Sequence, residues 1–421
     1  MELKIKYAGK DIDVKLPNRA NIDIIQPDEI SIADESRTIQ KALESNCEFQ
    51  EFIENYKDFT IIVNDSTRST PTAKIIAQIE NYLQSKDFRF IVAVGTHRPP
   101  TEFEMKTIFG HYLEKYRDRI LVHDSRNKKN LVKIGKSPTG NEFWINKHAL
   151  ESEAIIVIGS VEPHYFAGFT GGRKSILPGI AGYETIRQNH SFAMDNNAKI
   201  MALENNYLHH EMELAAKSIQ LPMFSIQAVL DRHQNIYRII SGDISDSFYQ
   251  AVEYAKKVYA AAYTSQYDIV IAEVNPPMDI NLYQSHKALE HVKQMCKDNG
   301  IIILVSKCKD GIGQSDFYDM LSSGKTASQI CKEIDNFYKL GSHKSYRLAK
   351  LLENKRVWAF TDIEPNILRK INIKPIESLE NAIYNAIDGF ENEVELALVK
   401  DATATVPQKC NNNRDYSCSS L

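Results

Sequence analysis

The chain has 421 residues, 43% apolar and 25% charged, with a formal net charge of -4. That is enough length for about two or three folded domains with sizeable cores, and the charge balance removes the electrostatic reason to expect nucleic acid. No stretch approaches the ~18 apolar residues of a membrane span, and the N-terminus lacks an apolar run of signal-peptide length. No membrane association is expected, and the protein reads as cytoplasmic. The six cysteines (Cys47, Cys296, Cys308, Cys331, Cys410 and Cys418) form no CxxC pair, so neither a zinc ribbon nor a disulfide framework is indicated.

In chain order, "MELKIKYAGKDIDVKLP" alternates apolar and polar residues and predicts a strand pair around Gly9. Five β-rich runs follow: "FTIIVND" (59–65), "FRFIVAVGTH" (88–97), "RILVHDS" (119–125), "AIIVIGSVEPH" (154–164) and "FSIQAVLD" (224–231). Helix-length segments such as "TPTAKIIAQIENYLQSK" separate them. A second series runs through "YDIVIAEVNPP" (267–277), "GIIILVSKCKDGIG" (300–313) and "RVWAFTDIE" (356–364). Strands alternating with helices predict an α/β protein with mainly parallel, helix-flanked sheets. The expected organisation is a first domain over 1–265, a second over 266–400 and a polar tail over 401–421, with an active-site cleft between the domains. The helix "AVEYAKKVYAAAYTS" (251–265) reads as the bridge.

In an open α/β sheet, ligands sit outside the carboxyl ends of the strands. The first strand of the series ends in "NDSTRSTP", supplying Asp65, Thr67 and Arg68. The second ends in "GTHRPP" with His97, and the fourth in "VEPHYFAGFTGG" with Glu162 and His164. A lone histidine after a strand is more often structural than catalytic, and His123 in "VHDS" is read that way. Asp65 has a plain alternative as a helix N-cap. Agreement among three strand ends favours a functional site at His97 and His164.

The run "PHYFAGFTGGRKSILPG" (163–179) places a lysine and an arginine after glycines, which suggests phosphate. It is not a P-loop, because Arg173 stands where that pattern needs its second glycine. Downstream, Tyr183, Ile186 and His190 share one helix face, turning His190 back toward Lys174. His209 and Glu213 in "HHEME" have no third ligand nearby in sequence and are expected to be solvated. Beyond the strand at 267, Gln284 and Lys287 stand on the first turns of a helix that begins near Tyr283.

These motifs, in this order, resemble the nickel-dependent lactate racemase family of 2-hydroxyacid racemases and epimerases. "DSTRSTP", "GTHRP", "EPHYFAGFTGGRKSILPGIAG", "NHS" and "DINLYQSHKAL" carry the resemblance, which spans roughly residues 60 to 315. The resemblance implies a nickel-pincer nucleotide, a pyridinium-3-thioamide-5-thiocarboxylic acid mononucleotide, joined to Lys174 through a thioamide. It implies His190 as the nickel ligand and His97 and His164 as the two catalytic bases. Arg68, Tyr283, Gln284 and Lys287 match substrate-binding positions. Asp65, Thr67, Gly171, Gly172, Arg173 and Ser175 are expected around the cofactor, the glycine pair allowing close approach of its phosphate. "KDGIGQSDF" (309–317) matches the family's glycine-rich loop only loosely, and Trp358 reads as core.

The implied reaction racemises a small 2-hydroxyacid, with D- and L-lactate the leading pair, by hydride transfer through a 2-keto acid. Inversion then needs one acid/base for each orientation of the hydroxyl, which suits two histidines. Partners would be the substrate and the cofactor-building enzymes. Alternatives are another 2-hydroxyacid, malate-like or a sugar acid, or a non-catalytic nickel- or nucleotide-binding protein.

Overall fold

The computed structural model describes residues 2–44 and 47–410. The chain divides into two compact units, one of Glu29–Val258 and one of residues 2–28 together with those from Tyr259 onward. A first domain starting at residue 1 was expected. The N-terminal strands instead belong with the C-terminal part.

The chain opens with β1 (Glu2–Tyr7) and β2 (Lys10–Lys15), an antiparallel hairpin that sets Ile5 against Ile12. Gly9 supplies the turn at φ +78°, a conformation that costs glycine little. The next strand is β3 (Ala20–Ile25).

The Glu29–Val258 unit holds β4 (Asp58–Asn64), β5 (Asp87–Ala93), β6 (Ile120–Val122), β7 (Leu131–Lys136), β8 (Glu142–Asn146), β9 (Ala154–Ser160), β10 (Pro163–His164), β11 (Gly168–Phe169), β12 (Met223–Leu230) and β13 (Ile236–Asp243). Six of these form one sheet in the order β13-β12-β9-β4-β5-β6. Its pairings are parallel except for β13, which returns antiparallel to β12. Every residue of β9 is buried, as its unbroken apolar run requires of a strand covered on both faces. On one face Ile156 and Ile158 join Ile61, Val63, Phe90 and Val92 beneath Ile75, Ile76 and Ile79 of the helix Thr72–Leu83. On the other, Ile155 and Val157 pack against Ile176 and Ile180. The latter two flank the "LPG" turn, so that loop is anchored in the core.

The second unit adds β14 (Ala260–Tyr263), β15 (Tyr267–Glu273), β16 (Cys296–Val305), β17 (Arg356–Phe360), β18 (Lys374–Pro375), β19 (Val394–Val399) and β20 (Val406–Lys409). Its sheet runs β18-β17-β16-β15-β19-β3, parallel throughout. The register Val394 with Ala20 puts β3 at its edge, which explains why residues 2–28 leave the unit they precede. The expected bridging helix runs Ile244–Tyr259, and residues 260–263 after it are strand. Of the expected tail, Val406–Lys409 pairs with β14, while 411–421, with Cys418, lie outside the described residues. Cys296 and Cys308 are buried free thiols. Among the described residues no helix is long and apolar enough to cross a membrane.

Ile158 is fully buried in the central strand. Ile158→Ala should destabilise the protein by about 2–5 kcal/mol through lost apolar burial and a cavity, read as a lower urea midpoint with an unchanged slope.

Candidate active site

Strands β9, β4 and β5 are neighbours, so their carboxyl ends open onto one rim. Two bonds tie that rim together. Asp65, after β4, faces the His97 ring after β5, with Oδ2 2.7 Å from Nδ1. Arg68 donates from Nη1 to Glu162 Oε1 after β9 at 2.8 Å. Asp65 does not cap the following helix, which begins after Pro71 without a side-chain cap. Its Oδ1 instead accepts from the backbone N–H (3.1 Å) and hydroxyl (2.6 Å) of Thr67. Burial alone would raise the Asp65 pKa. The hydrogen bonds from His97 and Thr67 and the charges of His97 and Arg68 outweigh it and hold the carboxyl below its usual value. His97 itself is open to solvent, with 55% of its side chain exposed.

His164 lies in the two-residue ladder β10–β11, where its Nδ1 accepts the Ala167 N–H at 3.2 Å. The loop then turns inward. Gly171 (φ +83°) and Gly172 (φ +48°) adopt backbone that side-chain-bearing residues avoid. A Cβ at Gly171 would lie 2.5 Å from Val161, and one at Gly172 2.8 Å from Phe248. Both glycines therefore face protein, and the Gly172 N–H goes to Gln227 Oε1 at 3.1 Å. The glycine pair seats the loop on the sheet and on the helix Ile244–Tyr259.

Arg173 is likewise turned away from the rim. It is 3% exposed, and its donors reach Ala167 O (3.0 Å), Gly171 O (3.1 Å), Thr170 O (3.4 Å) and His209 Nδ1 (3.0 Å). Burial pushes its pKa down to about 9. Ser175 is buried beneath Gly179, where an added Cβ would meet Ser175 O at 2.2 Å. Lys174, between these two buried residues, is half-buried. Its backbone is held at both ends, by Lys174 N–H to Gly171 O (3.1 Å) and by Gly179 N–H to Lys174 O (3.0 Å).

The Phe166 ring brings three of the expected residues together. Its centroid lies 4.5 Å from that of His164, 5.2 Å from that of His190 and 5.7 Å from Lys174 Nζ. His190 is on the helix Tyr183–Ser191, and its buried Nδ1 has no hydrogen-bond partner. Burial brings its pKa down to about 3, with the charges of Lys174 and then His97 adding to the effect. A neutral imidazole with an unclaimed buried nitrogen is a donor suited to a transition metal. The residues present fit a nickel centre beside Lys174.

Two other histidines resolve differently. His123 is structural: its ring nitrogens lie 2.9 Å from Ala181 O and 3.2 Å from Asn146 Nδ2. His209, expected in solvent, is fully buried. "HHEME" reads as a polar helix surface, and nothing local reveals that Arg173 packs against it.

In the other unit, Asn281 caps the helix Leu282–Val292 by accepting the Gln284 N–H at 2.9 Å. Tyr283 is fixed by Phe317, edge-on at 5.4 Å, and by close approach of Gly313 and Gly341. Lys287 Nζ reaches Met278 Sδ at 3.6 Å. The sequence reading missed Lys344, which is 3% exposed, donates to Tyr283 O at 2.7 Å and stands 3.6 Å over the Tyr283 ring. Burial, then the charge of Lys287, holds its ammonium well below the usual lysine value. "SHKSYR" carries no sign of that. Trp358 is core, with Lys374 Nζ 3.7 Å over its ring.

Residues 7–201 match the family model of the lactate racemase N-terminal domain, and 262–406 that of the lactate racemase C-terminal domain. The chain is 30% identical over 423 aligned residues to a lactate racemase of Thermoanaerobacterium thermosaccharolyticum, covering 96% of this chain and 98% of that one. It is 28% identical to a lactate racemase of Lactiplantibacillus plantarum, over 88% and 91% of the two chains. The lactate racemase apoprotein structure from Thermoanaerobacterium thermosaccharolyticum superimposes with a TM-score of 0.89 at 29% identity, over 97% of this chain and all of that one. A Thermotoga maritima protein, at 16% identity and a TM-score of 0.68, shares the fold over 90% of this chain.

The depressed Asp65 pKa has a sign that stability measurements can check. A carboxyl whose folded pKa lies below its unfolded value adds stability above the unfolded pKa, near ~3.9, and loses it as pH falls through the folded value. Asp65→Asn should therefore be less stable than the wild type near pH 6, and the gap should shrink below about pH 4 in urea unfolding.

Proposed function

Because this chain belongs to the lactate racemase family, we propose that it racemises a 2-hydroxyacid, D- and L-lactate first among candidates, through a 2-keto acid formed by hydride transfer. It is an isomerase. The observation that carries the mechanistic reading is the orphaned, buried Nδ1 of His190 on the same aromatic ring as Lys174 and His164.

On this reading Lys174 is the covalent tether of a nickel-pincer nucleotide and His190 completes the nickel coordination. When bound, that group supplies the hydride acceptor. The remaining steps belong to the protein. Arg68 would hold the substrate carboxylate with the face of its guanidinium fork not given to Glu162. His97 would take the hydroxyl proton of one enantiomer at Nε2, because Asp65 holds Nδ1–H and stabilises the imidazolium that forms. His164 would serve the other enantiomer. Tyr283, Gln284 and Lys287 would supply further substrate contacts. Asp65 and Thr67 act by orienting His97, and Gly171, Gly172, Arg173 and Ser175 by shaping the loop that carries Lys174.

Two measurements test this. Protein made alongside the cofactor-building enzymes should carry an adduct on Lys174 and about one nickel per chain. Lys174→Ala should lose adduct and activity with its melting temperature within a few degrees of wild type; an adduct of full mass in that variant would sink the tether.

The two histidines separate racemase from binding protein. His97→Ala and His164→Ala should each lose racemisation by about 100- to 10,000-fold. In single-turnover quench experiments, each variant should still form 2-keto acid from one enantiomer, and the enantiomer should differ between them. Equal keto acid from both enantiomers in both variants would refute the two-base assignment.

A further inference from the structure

The helix Tyr207–Lys217 carries two buried polar side chains, His209 at 0% and Glu211 at 1% exposed, and each grips a different part of the site. His209 Nδ1 accepts from Arg173 Nε, so its ring proton sits on Nε2, 3.1 Å from Tyr249 Oη. Tyr249 in turn donates to Glu213 Oε1 at 2.7 Å. Held this way, Arg173 spends its other donors on the carbonyls of the loop that precedes Lys174. The helix also fixes that loop from its N-cap, where Asn206 Nδ2 donates to Phe166 O at 2.7 Å.

Among the described residues Glu211 forms no ion pair. Its Oε1 accepts from Ser137 and Thr139 hydroxyls, both at 2.8 Å, and its Oε2 from Asn141 Nδ2 (3.0 Å) and Asn189 Nδ2 (3.1 Å). Asn189 also donates to Leu208 O at 3.1 Å. It is the residue before His190, so Glu211 holds the helix that carries His190. A buried carboxylate without a counter-ion persists only where several donors converge on it, and here one of them is the neighbour of His190.

His209, His210 and Glu213 also have ligand atoms within 4.8 Å of one another. Arg173 already occupies the Nδ1 lone pair of His209, so a metal on Nε2 would require stripping the ring's last proton beside a buried guanidinium. His209 and Glu213 are instead joined through Tyr249 in a hydrogen-bond relay, and His210 bonds Glu204 O at 2.6 Å.

We propose that the helix Tyr207–Lys217 is the positioning element that sets Lys174 against His190, with His209 acting on the tether loop through Arg173 and Glu211 acting on the histidine-bearing helix through Asn189. The proposal rests on reading Lys174 as tether and His190 as nickel ligand. It expects the two substitutions to fail in different ways. At fixed co-expression with the cofactor-building enzymes, His209→Leu should lower the adduct fraction on Lys174, by intact mass, about 10-fold. Nickel per adduct should stay at the wild-type value. His209→Asn, whose Oδ1 stands near the Nδ1 position, should load within about 2-fold of wild type. Glu211→Gln should load normally but lose nickel to a chelator up to about 10-fold faster, the low end of the range for a partner bonded directly to a metal ligand, because Glu211 acts on His190 only through Asn189.

If His209→Leu does not fold, His209→Gln replaces it, since its amide reaches beyond the Nδ1 position and leaves Arg173 Nε unmatched. Adduct and nickel falling together in all variants, in step with melting temperature, would overturn the proposal and reduce the helix to scaffold. Wild-type protein lacking any adduct would instead sink the functional reading beneath it.

Discussion

The site is organised around the burial of one guanidinium. Arg173 remains a cation at neutral pH even with its pKa pushed down to about 9, and a buried cation is costly unless its donors are met. Here they are met by three loop carbonyls and one imidazole, with the Phe248 ring 4.0 Å beneath. The carbonyls of Ala167, Thr170 and Gly171 can all point at one group in very few backbone conformations. That constraint accounts for the glycines. Gly168, at φ +75°, lies where a Cβ would come within 2.4 Å of Ala202 O, and Gly171 and Gly172 are similarly hemmed in. Arg173 turned into the protein leaves its neighbour Lys174 directed elsewhere in the single turn Gly172–Ser175. The lysine is aimed by the residue beside it.

The sheet supplies the second constraint. With β4 between β5 and β9, side chains far apart in sequence meet within one hydrogen bond of each other, as Asp65–His97 and Arg68–Glu162 do. The Lys174 loop is pinned to the same frame, since Gly95 at the end of β5 donates to Gly179 O at 2.9 Å. Ile176 and Ile180 bury themselves against β9. Strand ends and the Lys174 loop are therefore held in one frame, which suits chemistry that tolerates little misplacement.

Much of this was legible in the chain. Apolar runs of strand length located the strands that carry His97, His164 and Arg68, and helical spacing turned His190 toward Lys174. Pairings set by distant partners were not legible. β3 joins β19 across more than three hundred residues, and nothing in "ANIDII" names its neighbour. Buried polar groups were hidden for the same reason. His209, Glu211 and Lys344 lie in helices whose local pattern is polar, and only tertiary contact tells a satisfied interior group from a solvated one. The packing role of the glycine pair was equally hidden: glycines beside basic residues suggest phosphate, and only the fold shows that a Cβ at either position would meet Val161 or Phe248.

The two catalytic histidines proposed here are not equivalent at rest. Asp65 holds the Nδ1 proton of His97, leaving Nε2 as the acceptor, whereas the Ala167 N–H occupies Nδ1 of His164 and places that ring's proton on Nε2. One ring is set to accept a hydroxyl proton and the other to donate a hydrogen bond. For His164 to act as the base, its proton must move to Nδ1 and the Ala167 bond must be given up, at a cost of about 0.5–1.5 kcal/mol for a typical hydrogen bond. Enantiomers have equal free energies, so kcat/KM must be the same in both directions whatever the two rings do. The inequality can therefore appear only as kcat and KM shifting together between the enantiomers. On the proposed roles, the enantiomer served by His164 would give up the β10–β11 hairpin's hydrogen bond before proton transfer, so the β10–β11 turn is one source of a difference between the two substrates.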